Sequence, residues 1–356
     1  MGKKTFNSIV IKVGSSSLTD PKGKLDLKNL QRIVAEIADL IKNKKQVILV
    51  TSGSIVCGAE KLGLGKPKTI PEKQAAAAVG QSRLMRQYEK GFEAFGITVA
   101  QVLLTRDAIA NRERYLNARH TLQTLLDEKV VPIVNENDTV AIDEIKIGDN
   151  DNLAALTASL IGADLLVLLT DVDGFYMTNE EGVSYLAEEI AEVNSDVEAA
   201  AGHPSTQLGT GGMITKIQAA QVCSDAGIHM AIINSRKDGL IKKIAAGEKA
   251  GTTFIPKVSK PESRKRWLAH GLKTEGTVVV DSGAELALIK KNTSLLPVGI
   301  KSFKGKFAAG ALVSITDESN KEIARGLTAM SSEELKKSLG KKGVGEAIHR
   351  DDLVIL

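Results

Sequence analysis

Five short runs of almost unbroken apolar residues limit the folds open to this chain: IVIKV at 9–13, VILVT at 47–51, VVPIV at 130–134, LLVLLT at 165–170 and MAIIN at 230–234. A strand with one face in water alternates apolar and polar residues, whereas a strand covered on both faces does not. Between the runs lie helical patterns at 28–43, 73–95 and 150–163. Strand and helix alternate to about residue 255, and the expectation is a three-layer α/β/α sandwich around a mainly parallel sheet.

The pattern changes after residue 255. The charged stretch 256–275, with two prolines and the only tryptophan, reads as a linker. From Gly276 to Leu356 short strand-like pieces (GTVVVD, ALVSI, EIARGL, DLVIL) are spaced by glycine and lysine, and a small β-rich domain is expected there. Two domains also suit a length of 356 residues.

Charge and cysteine content narrow the classes of function. A net charge of +4 is a small difference between 47 basic and 43 acidic residues, which gives no reason to expect a polyanionic partner. Cys57 and Cys223 lie far apart, so they suggest two buried thiols in a reducing compartment rather than a disulfide framework or zinc site. The histidines show no ligand spacing either. The N-terminal apolar stretch is short and reads as a strand, and no run approaches a membrane span; a cytoplasmic chain is expected.

In an open parallel sheet, ligands collect where strands end and helices begin. The polar residues here gather at such places: KVGSSS from Lys12, TSGSI from Thr51, NEND from Asn135 and TDVDG from Thr170. Glycine in such loops lets backbone amides approach an anion, and helix N-termini attract one. Together they describe one lip of a phosphate-binding cleft. Lys12 lies near the end of an otherwise apolar strand, so it either meets an anion or snorkels to solvent.

LGTGGMITK at 208–216 brings a lysine to the start of a helix, either as a phosphate loop or as a flexible connection. It is neither a Walker A loop, which needs Gly-Lys followed by Ser or Thr, nor a dinucleotide fingerprint, whose third glycine would fall on Ile214. GDNDNL at 148–153 sets Asp149, Asn150 and Asp151 before a helix, although capping needs only one of them. HRDDL at 349–353 mimics a protein-kinase catalytic loop but lacks the downstream motifs, so it reads as structural.

In this order the motifs resemble the amino-acid kinase superfamily and, within it, the bacterial glutamate 5-kinase family. VIKVGSSS from Val10, VTSG from Val50, VGQSR from Val79, RER from Arg112, LNAR from Leu116, VNEND from Val134, IGDNDNL from Ile147, LTD from Leu169, GTGGM from Gly209 and RKRW from Arg264 carry the resemblance. PVGIK from Pro297 and HRDD from His349 make the tail similar to a PUA domain.

The resemblance implies the amino-acid kinase fold and transfer of the γ-phosphoryl group of ATP, with Mg²⁺, to the side-chain carboxylate of L-glutamate. The product would be L-glutamyl 5-phosphate, the first step of proline synthesis. By the same resemblance Lys12, Asp151 and Lys216 are catalytic; Ser52, Asp138, Asn150 and Asn135 hold glutamate. Lys12, Thr170, Asp171, Thr210, Gly211, Gly212, Met213, Ile214, Thr215 and Lys216 hold ATP, the protein ligands of the metal being unassigned. It further implies feedback inhibition by proline and a homo-oligomer, dimer or tetramer.

A glutamate carboxylate, with a pKa of roughly 4.3, is already ionised at neutral pH, so its attack on phosphorus needs no general base. What the reaction needs is alignment and neutralisation of charge. Two other readings stay open: an aspartate or N-acetylglutamate kinase of the same fold, and an RNA-binding protein acting through the tail. The tail has twelve basic and ten acidic residues and two aromatics, Phe303 and Phe307, which is a poor stacking platform. Nucleic acid is therefore not an expected partner.

Overall fold

The computed structural model describes residues 5–105, 112–140, 150–202, 212–259, 274–291, 293–341 and 343–356. The chain divides into two compact units, Met1–Ser259 and Lys260–Leu356. Most of the expected linker, along with Asp149, Thr210 and Gly211, lies outside the described residues.

The first unit is built on β1 (Ser8–Val13), β2 (Gln46–Thr51), β3 (Val99–Leu104), β4 (Val131–Glu136), β5 (Leu165–Thr170), the hairpin β6 (Tyr176–Thr178) and β7 (Ser184–Leu186), β8 (Glu189–Ile190), β9 (His229–Asn234) and β10 (Thr252–Phe254). Eight of these form one sheet in the order β3-β4-β2-β1-β5-β9-β10-β8. The run from β3 to β9 is parallel, and β10 turns antiparallel against β9. The carboxyl ends of β1, β2, β4, β5 and β9 therefore share one edge. Helices are α1 (Ser15–Leu18), α2 (Leu27–Lys42), α3 (Ser54–Leu62), α4 (Ile70–Glu93), α5 (Arg112–Asp127), α6 (Asn150–Ile161), α7 (Ser195–Ala201), α8 (Met213–Asp225) and α9 (Leu240–Ala245).

Both faces of the sheet are covered, which is why its central strands read as apolar runs. Successive side chains point to opposite faces. Ile9, Ile11, Val13, Leu49 and Val167 pack in one cluster with residues of α2, α4 and α9. Val10, Val50, Val134, Leu166 and Leu168 pack in the other with residues of α6 and α8. Lys12 has the parity of Val10, so it faces α6 and α8. The leading α4 turn starts three residues before the helical pattern in the sequence, because Thr69 and Glu72 form a reciprocal capping box with a proline in the first turn.

The second unit holds β11 (Gly276–Val280), α10 (Ser282–Lys291), β12 (Ile300–Lys304), β13 (Leu312–Thr316), β14 (Glu322–Leu327), α11 (Ser332–Ser338) and β15 (Leu353–Ile355). Its strands form a sheet in the order β12-β11-β13-β14-β15 over a core that includes Val278, Val313, Ile315 and Ile348. Arg350–Asp352 is a short 3-10 turn whose Asp352 N–H donates to His349 O at 2.9 Å and leads into β15.

Helices α3 and α4 cross with their backbones in contact. A Cβ added to Gly80 would lie 1.7 Å from Ser54 O, and one added to Gly58 would lie 1.7 Å from Ala76 O. Neither obstacle is a movable side chain. Gly80→Ala should therefore force α3 and α4 apart and cost about 1–3 kcal/mol or more in thermal or urea unfolding. Gly202→Ala, whose Cβ would meet nothing nearer than Ala199 O at 3.5 Å, is the control and should unfold like the parent protein.

Candidate active site

Three charged side chains meet at the shared carboxyl edge. Lys12 is the penultimate residue of β1, opposite Val50 and Leu168 on the neighbouring strands. Asp151 and Lys216 sit in the first turns of α6 and α8, the two helices on that face. Lys12 Nζ lies 2.6 Å from Asp151 Oδ1 and Lys216 Nζ lies 2.9 Å from Asp151 Oδ2. Thr215 Oγ1 also donates to Asp151 Oδ2 at 2.9 Å.

Asp151 is 1% exposed and each lysine 8%, so Lys12 does not snorkel to solvent. Burial pushes the Asp151 carboxyl up, but the charges and hydrogen bonds of Lys12 and Lys216 outweigh burial and hold it well below the usual carboxylate range. The trio is thus one carboxylate between two ammonium groups, with a net charge of +1 in a nearly dry setting. Such a site calls for an anion.

Around the trio the backbone is open. The Cα of Gly14 faces Lys12: a Cβ there would touch Lys12 Nζ at 3.4 Å. Gly212 caps α8 in extended conformation without a side-chain hydrogen bond, and a Cβ on it would meet nothing within 4 Å. Met213 and Ile214 follow in the first turn, half-buried and exposed respectively. Thr170, at the end of β5, donates from Oγ1 to Asp171 Oδ1 at 3.1 Å and accepts Ser235 N–H at its carbonyl at 2.7 Å. The exposed loop after it is braced across the sheet edge, as Asn234 Nδ2 and Lys237 Nζ both contact Asp173 Oδ1 at 2.8 Å.

A second polar group lies on the β2 and β4 side. Asn150 Nδ2 donates to Thr51 O at 2.6 Å, to Asn135 Oδ1 at 2.8 Å and to Ser52 Oγ at 3.1 Å. Asn150 therefore spends its side chain on tertiary contacts, not on capping α6. Asp138 Oδ2 accepts from Ser54 Oγ at 2.8 Å. Burial pushes the Asp138 carboxyl above its ordinary value, opposed by that hydroxyl bond. All four residues expected to hold an amino acid thus fall in this one neighbourhood, with Ser52, Asn135 and Asn150 in direct contact.

Sequence reading missed Ser54, Gln81 and Tyr88. Asn135 Nδ2 donates to Gln81 Oε1 at 2.8 Å, and the Tyr88 hydroxyl lies 2.8 Å from Thr51 Oγ1. Ser54 and Gln81 stood inside quoted motifs without a role, and Tyr88 lay unremarked within the helical pattern at 73–95. Both cysteines are buried and free; burial pushes the Cys57 thiol up to about 11. Among the described residues no three His, Cys, Asp or Glu side chains converge to hold a metal ion.

Comparison with known proteins agrees with this architecture. Residues 7–234 match the model of the amino acid kinase family and residues 276–350 that of the PUA domain. A protein named glutamate 5-kinase from Thermoanaerobacter sp. (strain X514) is 48% identical over 362 residues, covering 98% of this chain and 97% of its own. Another of that name, from Geobacter metallireducens, is 45% identical over 367 residues, covering 99% and 98%. Among solved structures, carbamate kinase from Giardia lamblia bound to AMP-PNP shares the fold with a TM-score of 0.51 at 18% identity, over 70% of this chain and 98% of that one. A match through almost the whole first unit, together with relatives near half identity over nearly the full length, makes this chain a member of the amino acid kinase family that also carries a PUA domain.

Proposed function

We propose that this protein is a glutamate 5-kinase, transferring the γ-phosphoryl group of ATP to the side-chain carboxylate of L-glutamate. The observation that carries the reading is the buried Lys12–Asp151–Lys216 trio, with net positive charge, set between two polar neighbourhoods of different chemistry. The nucleotide belongs on the side of Gly14, Thr170, Asp171 and the start of α8. There open backbone and a helix N-terminus suit phosphates. Thr210 and Gly211 extend the same loop in sequence. The amino acid belongs on the side of Ser52, Asn135, Asp138 and Asn150.

The chemistry follows from charge. The attacking carboxylate is already ionised, and the γ-phosphoryl group is polyanionic, so the barrier is repulsion and alignment. Lys12 and Lys216 neutralise the transferring group from two directions, and Asp151 fixes both ammonium groups before substrate arrives, so little reorganisation remains at the moment of transfer. Mg²⁺ enters as part of the nucleotide substrate, bound by phosphate oxygens and water and screening their charge. The oxygens of Asp151 are engaged by the lysines and Thr215, so the ion draws on no vacant carboxylate of the trio.

At the other end the α-ammonium group of glutamate meets Asp138 and the Ser52 hydroxyl donates to a carboxylate. Proline presents the same protonated nitrogen and α-carboxylate without a side-chain carboxylate to accept the phosphoryl group. Feedback inhibition at or near the glutamate site is therefore part of the proposal, as are a dimer or tetramer assembled through the kinase unit and a cytoplasmic setting. No described helix is long and apolar enough to cross a membrane.

Trapping the acyl phosphate with hydroxylamine, in parallel with L-glutamate, L-aspartate and N-acetylglutamate, tests the substrate. Signal should follow L-glutamate; a larger one with either rival overturns the reading. Lys12→Met and Lys216→Met should each lower kcat by about 10²–10³-fold in folded protein. A rate near that of the parent would remove the mechanism. The pH profile tests Asp138: its carboxyl, held high by burial, takes up a proton on acidification while Asp151 stays ionised. KM for glutamate should accordingly rise before kcat falls, and Asp138→Asn should raise KM throughout and flatten that rise.

A further inference from the structure

The amide groups behind the second polar neighbourhood form a chain whose direction is fixed by backbone at Asn150 and at Asn135. Amide oxygen and nitrogen are told apart by their partners. Glu136 N–H, which can only donate, lies 2.9 Å from Asn135 Oδ1. Thr51 O, which can only accept, takes Asn150 Nδ2 at 2.6 Å. Asn135 must therefore turn its oxygen toward Asn150 and its nitrogen away, and that nitrogen is 2.8 Å from Gln81 Oε1. Gln81 passes the sense on, with Nε2 3.3 Å from Gln101 Oε1 on the exposed edge strand β3.

One consequence reaches the reacting end. Asn150 is 8% exposed and the two protons of its nitrogen go to Thr51 O and Asn135 Oδ1, Ser52 Oγ sharing one of them at 3.1 Å, while its Oδ1 has no hydrogen-bond partner among the described residues. Ser52 Oγ accepts from Asn150, which leaves its proton to be donated elsewhere. The neighbourhood thus shows an amide oxygen and the Asp138 carboxylate as acceptors. Acceptors suit a cationic group; the opposite amide sense would show Asn150 N–H groups and repel one.

We infer that Gln81 is a positioning residue that sets substrate selectivity: by accepting from Asn135 Nδ2 it holds the Asn135 side chain, and through it Asn150, in the place where Asn150 Oδ1 is offered to the free ammonium group of the amino-acid substrate. The inference rests on the proposed glutamate site. Gln81 reaches this place because Gly80 beside it lets α4 lie against Ser54. Removing the acceptor leaves Asn135 Nδ2, in a residue 1% exposed, without its partner, so that Asn135 shifts toward another acceptor and loosens its hold on Asn150.

The test compares L-glutamate with glutarate, which keeps both carboxylates and lacks the ammonium group, in the full-length enzyme. Gln81→Met should raise KM for L-glutamate about tenfold, with KM for ATP, kcat and the inhibition constant of glutarate within about twofold of the parent. Gln81→Glu, which still accepts from Asn135 while the exposed Gln101 turns over, should recover most of the glutamate KM. Gln81→Lys, a donor with no acceptor, should behave like Gln81→Met and serves if the methionine variant fails to fold. An unchanged glutamate KM in Gln81→Met or Gln81→Lys overturns the inference, and so does equal weakening of glutamate, glutarate and ATP. A parent enzyme inactive on L-glutamate would instead overturn the proposed function, and that result is read before any variant is made.

Discussion

A carboxylate with almost no solvent contact is tolerable only where its charge is answered, and in this fold Asp151 is answered twice. Its two oxygens hold Lys12 from the central strand and Lys216, sixty-five residues later in the chain, from the first turn of α8. Removing Asp151 strands two ammonium groups in a dry place, at a cost of about 3–5 kcal/mol for a buried pair broken on one side, whereas removing one lysine leaves the other paired. The same contact ties β1, α6 and α8 together at the sheet edge. Stability and chemistry are thus coupled here: the ammonium groups that a phosphoryl group would use are the ones that make the aspartate tolerable.

The sheet makes that contact possible by parity and direction. Six parallel strands bring their carboxyl ends to one edge, and alternation along β1 decides that Lys12 faces α6 and α8 rather than α2 and α4. A one-residue slip of β1 would turn Lys12 to the other face. The register Lys12 opposite Val50 and Leu168 is in turn held by unbroken apolar neighbours on both sides. Hydrophobic burial therefore does the aiming, and the charged residues occupy the places it leaves.

This division explains what was legible beforehand. The buried strands were readable because burial on both faces forces continuous apolar runs. β3 was not, since it is an edge strand with partly exposed residues and Gln101 in its middle. Lys12 stood out as a cation in an apolar strand, and Asp151 and Lys216 as polar residues at helix starts, but nothing in their spacing says that they meet. Resemblance to a family supplied the grouping, and the fold supplied the distances. In the tail, β12 (IKSFK) escaped notice for the reason that hid β3: only Ile300 is buried, and both lysines are exposed.

Gln81 and Ser54 were invisible for a different reason. Neither residue is chemically conspicuous on a helix, and each gains its place only through the α3–α4 crossing that Gly58 and Gly80 permit. Sequence marks such a crossing only by Gly80 within a helical pattern, where it costs helix stability for no local benefit, since the helix that holds Gly58 gave no pattern of its own. Read physically, a glycine inside a helix that breaks no turn is a statement about a neighbour's backbone. Here the neighbour is the first turn of α3, and the close approach brings two helices, a strand end and a run of amide groups into one hydrogen-bonded sense. Selectivity for a charged nitrogen can therefore depend on a residue that never touches it, because the amide that offers the acceptor is held in place by a hydrogen bond one step further back.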